Sequence, residues 1–383
     1  LGGYSISGQK TRYGAGVKIT ALNQQHHQLG ATFISFAGWE MPLHYGSQIQ
    51  EHLAVRNDAG IFDVSHMLAM DCQGEQVKEW LRTVLSNDIN KLHPGKNALY
   101  SCLLNPQGGV IDDLIVYHLD HNLFRLVVNA GCAEKDVAWL QTQAAAFSVQ
   151  LTPRTDLSIL SIQGPHILEK LQQALTPAQF THLQTLQPFD AIALQDWMIA
   201  RTGYTGEEQG FEIILPHAHA LSLWEQLLQA GIAPIGLGAR DSLRLEAGFN
   251  LYGHEMDESV TPLESNLGWV VDWSDPAREF IGKKALQAQR QDPALRQLVG
   301  LVLLNQGICR AGMKVMGQDT QGNVHQGTLT SGSFSPILSR AIGFARMSAG
   351  IFSKVTVDIR GKNIPAQIIK PPFVRKGKSN VVL

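Results

Sequence analysis

Two adjacent aspartates inside a β-branched run constrain this 383-residue chain more than any other feature. The run is Asn105-Pro106-Gln107-Gly108-Gly109-Val110-Ile111-Asp112-Asp113-Leu114-Ile115-Val116-Tyr117. Pro106 and the Gly108-Gly109 pair make a turn, and the β-branched residues after it carry a strand. Asp is disfavoured in strands, and a buried carboxylate needs a partner. Successive strand side chains point to opposite faces, so only one of the two acids can face a given pocket. Asp113 shares its face with Ile111, Ile115, Tyr117 and Leu119, whereas Asp112 shares the other with Val110, Leu114, Val116 and His118. The first face is slightly the more apolar, which favours Asp113 as a pocket acid. The alternative is that both acids solvate a strand end.

A chain of this length suggests two or three domains. Hydrophobic residues make up 44% and charged residues 17% of it, ordinary for sizeable globular cores. The net charge of −2 selects for neither phosphate backbones nor anionic membranes, so no nucleic acid and no membrane is expected as a partner. No run of 18 apolar residues predicts a transmembrane helix. Cys72, Cys102, Cys132 and Cys309 are not at metal-ligand spacing; free thiols in a reducing compartment are the simplest reading, with no metal. Residues 1–17 have no apolar period and read as a tail.

Residues 21–28 read as a polar helix, followed by a short strand ending at Phe36. Ala37-Gly38-Trp39-Glu40-Met41-Pro42-Leu43-His44-Tyr45-Gly46 reads as an aromatic-dense loop that packs or binds. Ser47 can cap the next helix. Phe62-Asp63-Val64-Ser65-His66-Met67 reads as a short strand. His66 is a candidate base, although a lone His is more often a structural hydrogen-bonder, and Met67 lines a pocket or fills a core. Val77, Trp80, Leu81, Val84 and Leu85 fall at helical spacing. A strand over 100–104 leads into the central turn, and Asp120-His121-Asn122 joins a hairpin, so three antiparallel strands surround Asp113. Val137, Leu140, Ala144 and Phe147 give another helix. Helix, strands, helix is an α+β order rather than an alternating βα one.

A second unit of similar element order starts at Leu157, without a residue-level repeat. It contains the glycine-rich loop Thr202-Gly203-Tyr204-Thr205-Gly206-Glu207-Glu208-Gln209-Gly210 and the strand Phe211-Glu212-Ile213-Ile214-Leu215, with one acid among apolar residues. A further helix opens at Gly236-Leu237-Gly238-Ala239-Arg240, which lacks the third glycine of a dinucleotide fingerprint. Arg240 falls in its first turn, where the helix dipole disfavours a cation; either a partner anion or a neighbouring Asp or Glu offsets this. His254-Glu255 begins like a zinc-protease motif but lacks the second His. Past about Arg290, short strands split by Gly, Asn and Ser read as an all-β domain, a small barrel or jelly roll.

Taken together, Phe36-Ala37-Gly38-Trp39-Glu40-Met41-Pro42, Phe62-Asp63-Val64-Ser65-His66-Met67, Asp112-Asp113-Leu114, Arg201-Thr202-Gly203-Tyr204-Thr205-Gly206-Glu207, Ala239-Arg240-Asp241-Ser242-Leu243-Arg244-Leu245-Glu246 and Thr330-Ser331-Gly332 resemble the T-protein family of the glycine cleavage system. The resemblance covers about residues 19–374. It implies an α+β, three-domain cloverleaf: a discontinuous ferredoxin-like lobe from 18–66 and 155–255, a second from 67–154 and 256–290, and a C-terminal β-barrel-like domain from 291–383. It implies a tetrahydrofolate-dependent aminomethyltransferase acting on the aminomethyl-lipoyl arm of a partner H-protein, with ammonia and methylene-tetrahydrofolate as products. Asp113 is the implied catalytic acid, and Met67, Tyr100, Asn129, Tyr204, Glu212, Arg240 and Trp269 the implied folate contacts. A monomer or weak dimer is implied, in the cytoplasm of a bacterium or the mitochondrial matrix of a eukaryote.

Those residue types suit the task. A carboxylate such as Glu212 accepts the paired donors of a pterin edge, Arg240 suits a folate carbonyl or carboxylate, and the aromatics pack flat on rings. The sequence departs from the family pattern in a loop one residue longer over 206–210, in Phe249 where some members carry Tyr, and in a tail without their aromatic pair. A sister branch marked by Lys-Gly-Cys is not matched, since the triplet is missing. A related folate-dependent demethylase and a non-catalytic folate-binding module are the alternatives that keep the fold.

Overall fold

The computed structural model describes residues 16–93, 96–207 and 209–382. Most of the expected tail, and Glu208 of the glycine-rich loop, lie outside the described residues.

Asp113 sits in an antiparallel sheet of five strands, in spatial order Ala98–Leu104, Val110–Asp120, Leu123–Val128, Leu68–Gln73 and Gln150–Arg154. Helices Val77–Val84 and Ala133–Ala144 cover one face. The first does so because Val77, Trp80, Leu81 and Val84 recur at i, i+3, i+4 and i+7 and are all buried, in one core with Met70, Val116 and Leu126. Without the edge strand Ala98–Leu104, the chain order is strand, helix, strand, strand, helix, strand, the ferredoxin-like arrangement.

The alternation around the two acids holds on one side only. Cys102 faces Asp113 and Leu103 faces Asp112, but Leu104 faces Val110, which leaves Ile111 as the extra residue of a bulge. Ile111 therefore packs with Leu114 and Val116, on the side expected for Asp112, instead of beside Asp113. Ile115, Tyr117 and Leu119 do share a cluster on the opposite face. Asp112 is fully buried and Asp113 nearly so, which excludes the reading in which both solvate a strand end.

A six-stranded sheet runs Ala191–Leu194, Trp197–Ala200, Gly210–Pro216, Leu157–Gln163, Gly60–Asp63, Ala233–Pro234, with only the last pair parallel. Helices Ile167–Ala174, Pro177–Thr185 and His217–Gln229 bury Leu171, Phe180, Leu183 and Trp224 against it. The two sheets meet through a shared cluster in which Tyr117 and Ala98 join Phe62, Ile159 and Met198. The stretch expected as an aromatic loop is instead a strand, Trp39–His44, paired with Thr32–Phe36. Ala37 and Gly38, at φ 51° and 80°, supply the two left-handed residues of a tight hairpin turn.

The C-terminal part closes into a six-stranded barrel, Gln297–Leu303, Arg340–Met347, Val324–Ser335, Lys314–Asp319, Phe352–Ile359, Lys362–Ile369. Gly300 pairs with both Phe344 and Ile369, which seals it. Among the described residues no helix is long and apolar enough to cross a membrane.

Candidate functional site

One central opening lies between the two sheets, helix Leu237–Glu246 and the barrel. All eight side chains singled out above reach it: Asp113, Met67, Tyr100, Asn129, Tyr204, Glu212, Arg240 and Trp269.

Asp113 is delivered by strand Val110–Asp120 on the face turned from the helices. Its Oδ2 accepts a hydrogen bond from Tyr100 Oη at 2.8 Å and its Oδ1 one from Asn129 Nδ2 at 2.9 Å. Burial, and then the charge of Asp112, push its carboxyl up to about 7, while the Tyr100 and Asn129 donors pull the other way. Asn129 serves both acids: its Nδ2 also reaches Asp112 Oδ1 at 2.9 Å, and its backbone N–H donates to Asp112 Oδ2 at 3.0 Å. The Tyr100 ring stacks on Trp269, centroids 5.6 Å apart, and Trp269 remains 62% exposed.

Across the opening, Glu212 is buried on the strand Gly210–Pro216. Its Oε2 accepts from Thr202 Oγ1 at 2.7 Å and Tyr117 Oη at 3.3 Å, while its Oε1 has no hydrogen-bond partner among the described residues. Thr202 and Tyr117 were not found from the sequence. Tyr117 shares the Asp113 face, which was visible, but its partner Glu212 is 95 residues away, which was not.

The Arg240 side chain makes no hydrogen bond or ion pair among the described residues; its guanidinium lies 5.0 Å above the Tyr204 ring, itself stacked on Phe249. The neighbouring Asp241 is used by Arg244 at 2.8 Å, and Arg244 also binds Glu255 at 2.9 Å. The acid pairing weighed for Arg240 thus belongs to Arg244, and burial lowers the Arg240 pKa with only a partial Coulomb offset from Glu212. His66 also lines the opening, with Nδ1 buried and without a hydrogen-bond partner among the described residues. Burial and then the charge of Arg240 lower its pKa to about 4, so the ring is neutral and weakly basic. Met67 also lines the opening, half-buried. His254, weighed as half of a zinc motif, instead sits against the Thr330 carbonyl at 3.1 Å.

Chemically the opening offers one carboxyl poised to change protonation near neutral pH, one carboxylate oxygen and one guanidinium with unused capacity, and two stacked aromatic pairs. It suits a flat, polar-edged heterocycle carrying a negative charge.

Comparison with known proteins agrees with this architecture. Residues 22–275 match the family model of the GCVT N-terminal domain, and residues 296–375 that of the glycine cleavage T-protein C-terminal barrel domain. The aminomethyltransferase of Xylella fastidiosa strain M23 is 50% identical over 369 residues, spanning 95% of this chain and 98% of that protein, and that of strain M12 matches to the same extent. The crystal structure of glycine cleavage system aminomethyltransferase T from Bartonella henselae matches with a TM-score of 0.85 at 36% identity, over 95% of this chain and 99% of that one.

Proposed function

The chain belongs to the glycine cleavage T-protein family and is an enzyme that transfers an aminomethyl one-carbon unit; from that premise we propose that tetrahydrofolate is the acceptor, held in the central opening, and that the donor is the aminomethyl-lipoyl arm of a lipoylated H-protein. Tetrahydrofolate supplies the nitrogen nucleophile, ammonia leaves the donor carbon, and the lipoyl arm is left as the dithiol. The observation that carries this reading is the unused capacity of Glu212 Oε1 and of Arg240, both turned into an aromatic-walled opening that also holds Asp113.

Glu212 accepts the paired donors of the pterin edge, and Thr202 and Tyr117 fix its carboxylate beforehand, which lowers the ordering cost of binding. Arg240 takes a carbonyl or carboxylate of the folate. Tyr100 with Trp269 and Tyr204 with Phe249 wall the rings, Met67 lines the opening with them, and Asn129 holds the Asp113 carboxylate in one orientation. Positive charge develops on the attacking nitrogen. Asp113 stabilises it when ionised, and with a pKa near 7 can also accept the proton that must leave.

The domain division follows the same proposal: lobes of 18–66 with 155–255 and of 67–154 with 256–290, then the barrel domain. Its support is that strand Gly60–Asp63 pairs with Leu157–Gln163 across the intervening sheet. A cytoplasmic setting is supported by four free, buried cysteines.

The test is calorimetric titration of tetrahydrofolate into the wild type and into Glu212→Gln. The variant places an N–H donor against the pterin donors, and binding should weaken by roughly 2–4 kcal/mol, the scale for breaking a buried hydrogen-bonded charge pair. Wild-type affinity in the variant would remove Glu212 from the pterin edge. No heat from the wild type would remove folate from the opening.

A further inference from the structure

A third carboxyl group stands behind the two aspartates of strand Val110–Asp120. Asp136, on helix Ala133–Ala144, is fully buried, and neither of its carboxyl oxygens meets a hydrogen-bond donor among the described residues. Side-chain ligand atoms of Asp112, Cys132 and Asp136 all lie within 4.8 Å of one another. The sequence showed no such cluster, because only the packing of the helix on the sheet assembles it. Asp112 is provided for differently: Asn129 donates to it twice. A buried anion with no donor is not tenable beside a second anion, whereas a carboxylic acid beside a carboxylate acceptor is.

We infer that Asp136 is a positioning residue for the transfer reaction: a neutral carboxylic acid that donates its O–H to Asp112, holds Asp112 as the anion, and through Asp112 sets the proton affinity of Asp113.

The surroundings agree. Burial and then the charge of Asp112 raise the Asp136 pKa far above the usual carboxylate range. The adjacent Lys135 lowers it only in part. Its ammonium is committed to the Ile111 carbonyl at 2.9 Å, Tyr252 Oη at 2.9 Å and Glu258 at 2.8 Å. Burial keeps the thiols of Cys132 and Cys102 and the phenol of Tyr100 neutral, so none adds an anion. Burial raises the Asp112 carboxyl above its ordinary value on balance, and the two Asn129 donors offset this only in part; the O–H of Asp136 supplies the rest of what holds it as the anion. That charge in turn lifts Asp113. The three acids thus divide the labour: Asp136 stores a proton, Asp112 bears a fixed charge, and Asp113 alone titrates in the working range.

The kinetic part of the test rests on Asp113 being the acid of the transfer; the spectroscopic part does not. Asp136→Asn keeps a neutral donor of the same size, so turnover should stay within about threefold of wild type and its acid limb should not move. Asp136→Ala removes the donor, Asp112 takes up the proton, and Asp113 loses its charged neighbour, so the limb should fall by about one pH unit. Infrared difference spectra of the full-length protein at pH 8 should contain one protonated-carboxyl carbonyl band, retained in Asp113→Asn and lost in Asp136→Asn. If the alanine variant does not fold, this band decides. A missing band, a band that persists in Asp136→Asn, an unmoved limb in a folded Asp136→Ala, or a stoichiometric metal in the purified protein would each overturn the inference. Wild-type turnover in Asp113→Asn would overturn the reading of the site instead, and the infrared band would still decide the state of Asp136.

Discussion

Asp112 and Asp113 differ by one position and by everything around them. Asp113→Asn keeps size and one acceptor oxygen but removes the charge. Folate should bind only modestly worse, because its attacking nitrogen is neutral in the ground state, while turnover should fall by roughly 10²–10³, the scale of one preorganised electrostatic contact. Asp112→Asn should cost little in rate but about 1–3 kcal/mol in stability, because an amide cannot accept both Asn129 donors. Turnover and urea denaturation on both variants check this; a dead Asp112→Asn beside an active Asp113→Asn would reverse the assignment. The pH dependence has a definite sign. The folded pKa of Asp113 lies above its unfolded value, so its contribution to stability is present at low pH and lost as pH rises towards about 7. Asp113→Asn should therefore gain on the wild type between pH 5 and pH 8. Strand alternation made the Asp113 side legible in the sequence. The bulge that sends Ile111 to the other side was not, because it depends on the pairing of Leu104 with Val110.

Helix Leu237–Glu246 does two jobs with two rows of side chains. Arg240 and Arg244, four residues apart, face the opening and the barrel, Arg244 reaching Ser331 at 2.9 Å. Ser242 and Glu246, also four apart, both bind His52, and Glu246 further holds Arg56 at 2.9 Å and accepts from Ser335 of the barrel. Glu246 is fully buried, and its hydrogen bonds from His52 and the charge of Arg56 hold its pKa below the usual glutamate value against burial. Glu246→Gln leaves Arg56 incompletely paired and removes the carboxylate acceptor from His52, and should cost about 3–5 kcal/mol, the range for breaking a buried pair. Urea denaturation measures it. The wild-type advantage should be full above the ordinary glutamate pKa and shrink as pH falls below it. An unchanged denaturation midpoint at pH 7 would deny the helix its fastening role. The helix itself was expected from the sequence, opening at Gly236. Its partners were not, since Arg56 and Ser335 lie far off in sequence. Strand Trp39–His44 was hidden for a local reason: Pro42 argues against a strand, and here it sits in a two-stranded edge ribbon where a missing N–H is tolerated.

At the scale of the molecule, the α+β order of the first part and the all-β texture of the last could be read from element sequence alone. Whether the last part closes could not, because closure is the long-range pairing of Gln297–Leu303 with Lys362–Ile369. The strand Gly60–Asp63 carries a further consequence. It lies between Leu157–Gln163 and Ala233–Pro234, so its sheet cannot be completed until residues far downstream exist. The five-stranded sheet, by contrast, draws every strand from the continuous stretch 68–154. During translation the inner sheet can therefore assemble while Ile61 and Phe62 wait unpaired, as an apolar segment open to a chaperone. Ribosome-arrested chains that expose residue 154 but not residue 216 should resist protease across 68–154 while remaining cleavable around 60–63. Protection of both regions only after residue 234 has emerged would mean that the two sheets fold as one unit.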